Sequence, residues 1–93
     1  MYYTYVLRCI DELTKNKIFY IGSTGNLKQR LDRHKNGGVE TTKDFNKIEL
    51  VYYEACKNKT DARKRELQLK TGFGRGYISK RIAEYLKEDA VIV

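Results

Sequence analysis

Five side chains in this sequence are of types that can hydrolyse a phosphodiester: Tyr5, Tyr20, Arg30, His34 and Glu66. A phenol can orient or deprotonate water. A guanidinium can clamp the negative charge that develops on a phosphorane. A single carboxylate can hold a divalent cation that polarises the phosphate. His34 is the only histidine of the chain.

Helical geometry places three of these groups on unexpected faces. On a wheel of ~100° per residue, Leu27 and Leu31 define an apolar stripe about 40° wide. His34 falls within it, and Arg30 lies on its border, about 60° from Leu27. Four residues apart, Arg30 and His34 are neighbours. In the next helical segment, with Ala62 as origin, Leu69 lies about 20° to one side and Glu66 about 40° to the other. A half-buried carboxylate is costly unless paired, hydrogen-bonded or bound to a metal. A structural reading stands beside the functional one: Arg30 snorkels to solvent, His34 is a satisfied edge residue, and Glu66 pairs with Arg63, Arg65 or Lys70.

The elements that must position these groups follow from local pattern. YYTYVLRCI (Tyr2 to Ile10) is β-branched and aromatic, a strand signature. KIFYIG (Lys17 to Gly22) is a second strand, and the short polar link DELTKNK predicts an antiparallel hairpin. Tyr3 and Tyr5 then share one face, Thr4 and Val6 the other. Tyr20 stands two residues before Gly22, where a backbone can approach a ligand closely. Asn26 caps a helix over LKQRLDRHKN, stopped by Gly37-Gly38. VETTKDFNK reads as a loop and IELVYYEAC (Ile48 to Cys56) as the third strand. Thr60 is the expected cap of a helix over DARKRELQLKT, ended by Gly72. FGRGY reads as a flexible bend, ISKRIAEYLKE as a third helix, and AVIV as a frayed or docked tail. The class is α+β, in the order β-β-α-β-α-α. A sheet this small needs a helix on at least one face. Both polar helices are expected to direct their groups to the sheet surface that carries the tyrosines.

Composition narrows the partners. Ninety-three residues make one domain, with 41% hydrophobic residues, enough to fold. The 19 Lys plus Arg against 12 Asp plus Glu give +7, which favours a polyanion, nucleic acid ahead of a membrane surface. Cys9 and Cys56 lie in apolar strand contexts without metal-type spacing and are expected to be buried free thiols in a reducing cytoplasm. Nothing reads as a signal peptide or a membrane span. Tyr52 and Tyr53 are adjacent in a strand and face opposite ways, one of them toward the core. The glycines of LKTGFGRGY could cradle a phosphate with Arg75, but a bare G-x-G-x-G is a weak signal, and a helix C-cap at Gly72 followed by a bend is the favoured reading.

The ordered series resembles the GIY-YIG nuclease family. The second motif stands as Tyr20-Ile21-Gly22. Tyr3-Thr4-Tyr5 occupies the place of the first and keeps its final tyrosine. Arg30 follows Tyr20 by ten residues and His34 follows Arg30 by four, as in the family, and LVYYEAC with DARKRELQLK is similar to its third strand and glutamate helix. The likeness spans about residues 2 to 71. It implies a three-stranded antiparallel sheet flanked by helices and metal-dependent DNA cleavage. By that resemblance Tyr5 and Tyr20 serve as general base and nucleophile positioner, in an order family members leave open. Arg30 stabilises the transition state, His34 bonds a tyrosine or a phosphate, and Glu66 holds Mg²⁺ or Mn²⁺. The chain departs from larger members in lacking a tyrosine after the first helix and an asparagine beyond the glutamate helix. It also lacks their separate DNA-binding domains, so intrinsic sequence preference is expected to be weak or supplied by a protein partner, on DNA that is branched, damaged or single-stranded. The alternative is a non-catalytic nucleic-acid-binding module on the same fold.

Overall fold

The first strand is the centre of the sheet because it alone can bury both faces. In the computed structural model, which describes residues 1–91, with side chains to residue 88, Thr4 through Cys9 form an unbroken buried run. This strand, β1 (Tyr2–Ile10), is flanked by β2 (Lys17–Thr24) and β3 (Lys47–Cys56), in the order β2-β1-β3. Both pairings are antiparallel, with Tyr5 opposite Gly22 on one side and Tyr53 on the other. Four helices follow the strand pattern: α1 (Leu27–Lys35), α2 (Lys59–Leu69), α3 (Gly72–Arg81) and α4 (Ala83–Val91). The α+β class, the three strands and the hairpin all agree with the sequence pattern.

The helices cover both faces. Tyr5, Leu7 and Cys9 pack with Leu27 and Leu31 of α1 and with Phe45 of the loop before β3. Val6 packs on the opposite face with Leu69 of α2, Ile78 of α3 and Ile82. The Thr4 hydroxyl donates to the Ala62 carbonyl at 2.8 Å, fixing α2 against that second face. A bulge in β3 between the positions facing Val6 and Leu7 lets Val51 and Tyr52 both join the second cluster, while Leu50 returns to the first.

Several expected boundaries move. Asn26 caps α1 as expected, accepting from the Gln29 amide at 3.0 Å. The cap of α2 is Asn58, not Thr60: its side chain accepts from the amides of Thr60 and Asp61 at 2.8 and 3.3 Å. FGRGY is not a bend but the body of α3, which starts at Gly72. The reason is steric. A Cβ on Gly74 would stand 1.8 Å from the Leu69 carbonyl oxygen, so only glycine lets α3 pass this close to the end of α2. The expected third helix is also broken, with Ile82 ending α3 before α4 begins. Of the tail, Ala90 and Val91 close α4, and Ile92 and Val93 lie outside the described residues. Cys9 is buried as expected, whereas Cys56 at the end of β3 is partly exposed. No helix among the described residues is long and apolar enough to cross a membrane.

Candidate active site

Tyr5 and His34 are brought together by the packing of α1 on the tyrosine face. The Tyr5 hydroxyl lies 2.9 Å from Nε2 of His34, and both residues are buried. His34 is thus a satisfied residue, but one fully buried rather than at an edge. Tyr20 stands edge-on to the same imidazole, with centroids 4.7 Å apart, and its ring lies 6.2 Å from that of Tyr5. The second nitrogen of His34, Nδ1, is 2.8 Å from Oγ1 of Thr42, a fully buried threonine in the loop before β3. Thr42 escapes sequence reasoning because it sits in an irregular polar segment with no periodicity. The missing family tyrosine after the first helix was its only pointer, and an indirect one.

Burial sets the charge states here. Desolvation, with smaller contributions from Arg30 and Arg33, pushes the His34 imidazole down to about 4, so it is neutral at physiological pH. Desolvation, followed by the nearby Tyr20 phenol, pushes Tyr5 up to about 12, while the charge and N–H groups of Arg30 pull the other way. Arg30, partly exposed on α1, is near enough for its charge to oppose that rise. The glycine of the Tyr-Ile-Gly stretch has a concrete task. A Cβ on Gly22 would stand 2.5 Å from the Tyr5 hydroxyl oxygen, so the bare backbone is what makes room for the phenol.

Glu66 arrives by another route, and the single-surface expectation is corrected. Because α2 packs on the Thr4 and Val6 face, Glu66 rises on the side of the sheet opposite α1. It reaches the same neighbourhood past the edge strand β2. Ser23, which follows Gly22 and points to the α2 face, donates to Oε1 of Glu66 at 2.7 Å. Its carboxylate adds to the upward push on Tyr5, so the two sense one another across the edge. Glu66 is thus bonded to Ser23, the residue next to Gly22, and Gly22 pairs with Tyr5 across the sheet.

The ion pairs of the structural reading are formed as well. Arg63 Nη1 and Lys70 Nζ each lie 2.6 Å from Oε2 of Glu66. Although desolvation pushes upward, hydrogen bonds from Lys70, Ser23 and Arg63 bring the carboxyl below its ordinary value. Arg65 pairs instead with Glu54 and lies over the Tyr77 ring. Among the described residues no three or more His, Cys, Asp or Glu side chains gather as a metal cage. Glu66 still fits an ion of the magnesium type, which is commonly bound through one or two carboxylates with water and substrate oxygens. Its present cations are on exposed stems that can swing aside: the Arg63 and Lys70 side chains are 57% and 46% exposed, against 6% for Glu66.

The open tyrosine question is also settled. Tyr52 faces the α2 side and lies 3.2 Å from the Tyr77 hydroxyl, whereas Tyr53 is exposed directly across from Tyr5. A groove of about 590 Å³ wraps the β2 edge, lined by Tyr20, Phe19, Thr41, Lys70 and Arg75 among others. It gives access to the half-exposed Tyr20 beside the buried Tyr5.

An α+β sheet that assembles two tyrosines, an arginine, a histidine and a glutamate around a glycine of its edge strand has the layout of a small nuclease domain. Residues 1–81 match the GIY-YIG catalytic domain, and the chain belongs to that family. A UPF0213 protein of Clostridium perfringens is 39% identical over 71 residues, covering 75% of this chain and 71% of the relative. One from Pediococcus acidilactici is 37% identical over 95 residues, covering 99% and 87%, and one from Staphylococcus saprophyticus is 34% identical over 84 residues, covering 89% and 95%. No solved structure matches. The family is one of nucleases, and its substrate is nucleic acid.

Proposed function

We propose that this protein is a metal-dependent endonuclease that hydrolyses phosphodiester bonds in DNA, with Tyr5, Tyr20, Arg30, His34 and Glu66 as its working residues. The observation that carries this reading is the Tyr5 hydroxyl 2.9 Å from the buried His34, with Glu66 bonded to Ser23 beside Gly22, the residue that pairs with Tyr5. A chain that only bound nucleic acid would not need to bury an imidazole and a phenol in contact beside a carboxylate.

Each group has a role that its environment supports. Tyr20, half-exposed on the groove, is the phenol that water can reach; it orients the nucleophilic water and relays its proton, accepting it as the phenol's own proton passes to solvent. Tyr5, with its proton held firmly by burial, serves as a hydrogen-bond donor. His34, neutral and in contact with both rings, fixes the two phenols relative to each other. Arg30 carries the positive charge for the phosphorane. Glu66 would hold Mg²⁺ or Mn²⁺, which when bound polarises the scissile phosphate and stabilises the leaving oxygen. In the reaction water adds to phosphorus as its proton leaves through Tyr20 to solvent, one P–O ester bond breaks, and the leaving oxygen takes up a proton from solvent.

The net charge of +7 supports a DNA backbone as the ligand. The test is incubation with supercoiled plasmid and Mg²⁺ or Mn²⁺. Nicking by the wild type that Glu66→Ala and Arg30→Ala abolish supports the enzyme. Salt-sensitive binding without cleavage, unchanged in Glu66→Ala, supports the binding module instead.

A further inference from the structure

The buried hydroxyl of Thr42 has no place in the reaction as described, yet it contacts the one histidine. Its side chain is fully excluded from solvent, and among the described residues its only partner is Nδ1 of His34, at 2.8 Å. The imidazole in turn has only the Tyr5 oxygen at Nε2, at 2.9 Å. A neutral imidazole carries one N–H, so the three groups form a chain that can run in either of two directions.

The two directions differ in which hydroxyl proton is left over. If Tyr5 donates to Nε2, then Nδ1–H donates to Thr42, and the proton of Thr42 is stranded in a sealed interior. Leaving a buried donor unpaired carries its full desolvation penalty. If Thr42 donates to Nδ1, then Nε2–H donates to Tyr5, and the leftover proton is that of Tyr5. That phenol is itself buried in the free protein, 1% exposed, and lies against Gly22 of the edge strand, so its proton finds an acceptor only when a substrate phosphate enters there. The second direction also uses the Nε2–H form, the more stable one for a free histidine side chain.

We infer that Thr42 is a positioning residue for the nuclease centre: its hydroxyl donates to Nδ1, holds His34 as the Nε2–H tautomer, and so turns the Tyr5 O–H outward. Its effect on DNA cleavage rests on the nuclease reading; its effect on the imidazole does not. The groups that face His34 are Tyr5 from β1, Tyr20 from β2, Arg30 and Arg33 from α1, and Thr42 from the loop. None but Thr42 touches Nδ1. The two hydrogen bonds then run in one direction, the first polarising the second, and the Tyr5 O–H carries it on toward a bound substrate.

The single histidine makes the test direct. Imidazole ¹⁵N signals of the full chain at pH 7 report which nitrogen is protonated. The expected wild-type spectrum shows Nε2 protonated and Nδ1 bare. Thr42→Ser keeps that pattern, and Thr42→Val moves a measurable fraction of the protein to the Nδ1–H form. In cleavage, Thr42→Val lowers kcat about tenfold, the scale of one hydrogen bond, with KM within about twofold, and Thr42→Ser restores it. A wild-type spectrum with Nδ1 protonated overturns the inference, and so does a folded Thr42→Val protein with an unchanged spectrum. If Thr42→Val does not fold, the wild-type and Thr42→Ser spectra decide. A wild type that has the expected tautomer but cuts no DNA removes the nuclease reading and leaves the tautomer assignment standing.

Discussion

Gly22 and Tyr5 are paired across neighbouring strands so closely that a Cβ on the glycine would lie 2.5 Å from the phenol oxygen and 2.7 Å from the ring carbon that bears it. The phenol cannot swing away freely, because His34 and Tyr20 close the space around it. Gly22→Ala should therefore displace Tyr5 from His34. Overpacking of this kind costs about 1–3 kcal/mol of stability, and misplacing a reacting group by about 1 Å costs cleavage on the order of 100-fold. Urea denaturation and nicking assays check the two effects. An alanine variant with wild-type activity would show that the phenol does not need its present position.

A second expectation concerns acid. Folding depresses the His34 imidazole from 6.5 to about 4, so the unfolded chain binds its proton first as pH falls. The stability this buried neutral ring contributes is complete above about pH 6.5 and is lost as pH drops toward 4, by roughly 3 kcal/mol at the lower end. Carboxylates whose folded values are depressed, Glu66 and Glu54, lose their contribution only at or below the ordinary carboxylate range. The interval from about 6.5 to 4.5 thus isolates the single histidine. Denaturation midpoints measured across it should fall for the wild type and stay nearly flat for His34→Gln. Equal slopes in the two proteins would contradict the assignment.

The cations on Glu66 predict a competition. Lys70 and Arg63 hold the oxygen that a divalent ion would take. Removing one half-exposed cation should strengthen ion binding modestly, about two- to fivefold, the scale of an exposed pair. Calorimetric titration of Lys70→Gln with Mn²⁺ checks this, and Glu66→Gln should abolish the signal. Unchanged affinity in Lys70→Gln would mean that the ion does not enter through Glu66.

Gly74 tests the packing that brings α2 and α3 together. With the Leu69 carbonyl only 1.8 Å from an added Cβ, Gly74→Ala must push the two helices apart. A loss of about 1–3 kcal/mol or more is expected in denaturant titration. Gly76→Ala, with open space around the added methyl, should be neutral or slightly stabilising.

Much of this arrangement was legible in the chain and some was not, for identifiable reasons. The alternation in YYTYVLRCI announces the split of Tyr5 from Thr4 and Val6, and the periodicity of Leu27, Leu31 and His34 announces the buried histidine. FGRGY misleads because glycine's weak helix propensity says nothing of a neighbouring backbone that only glycine admits. Asn58 and Thr60 are both good caps, and only the fold shows which one turns its side chain onto the first amides. The face covered by α2 is a tertiary choice that helical spacing cannot reveal. Glu66 was correctly placed as buried, but the side of the sheet it rises from was not.

The central claim is that residues from opposite faces of the sheet form one centre around the edge strand. Single-turnover DNA cleavage by the wild type, Arg30→Ala, Glu66→Ala and the double variant tests it most directly. If the two side chains act on one phosphate, the double variant is hardly slower than the slower single variant, since groups that act as a unit are strongly non-additive. Rate losses that simply multiply, or single variants that cut as fast as the wild type, would contradict the account.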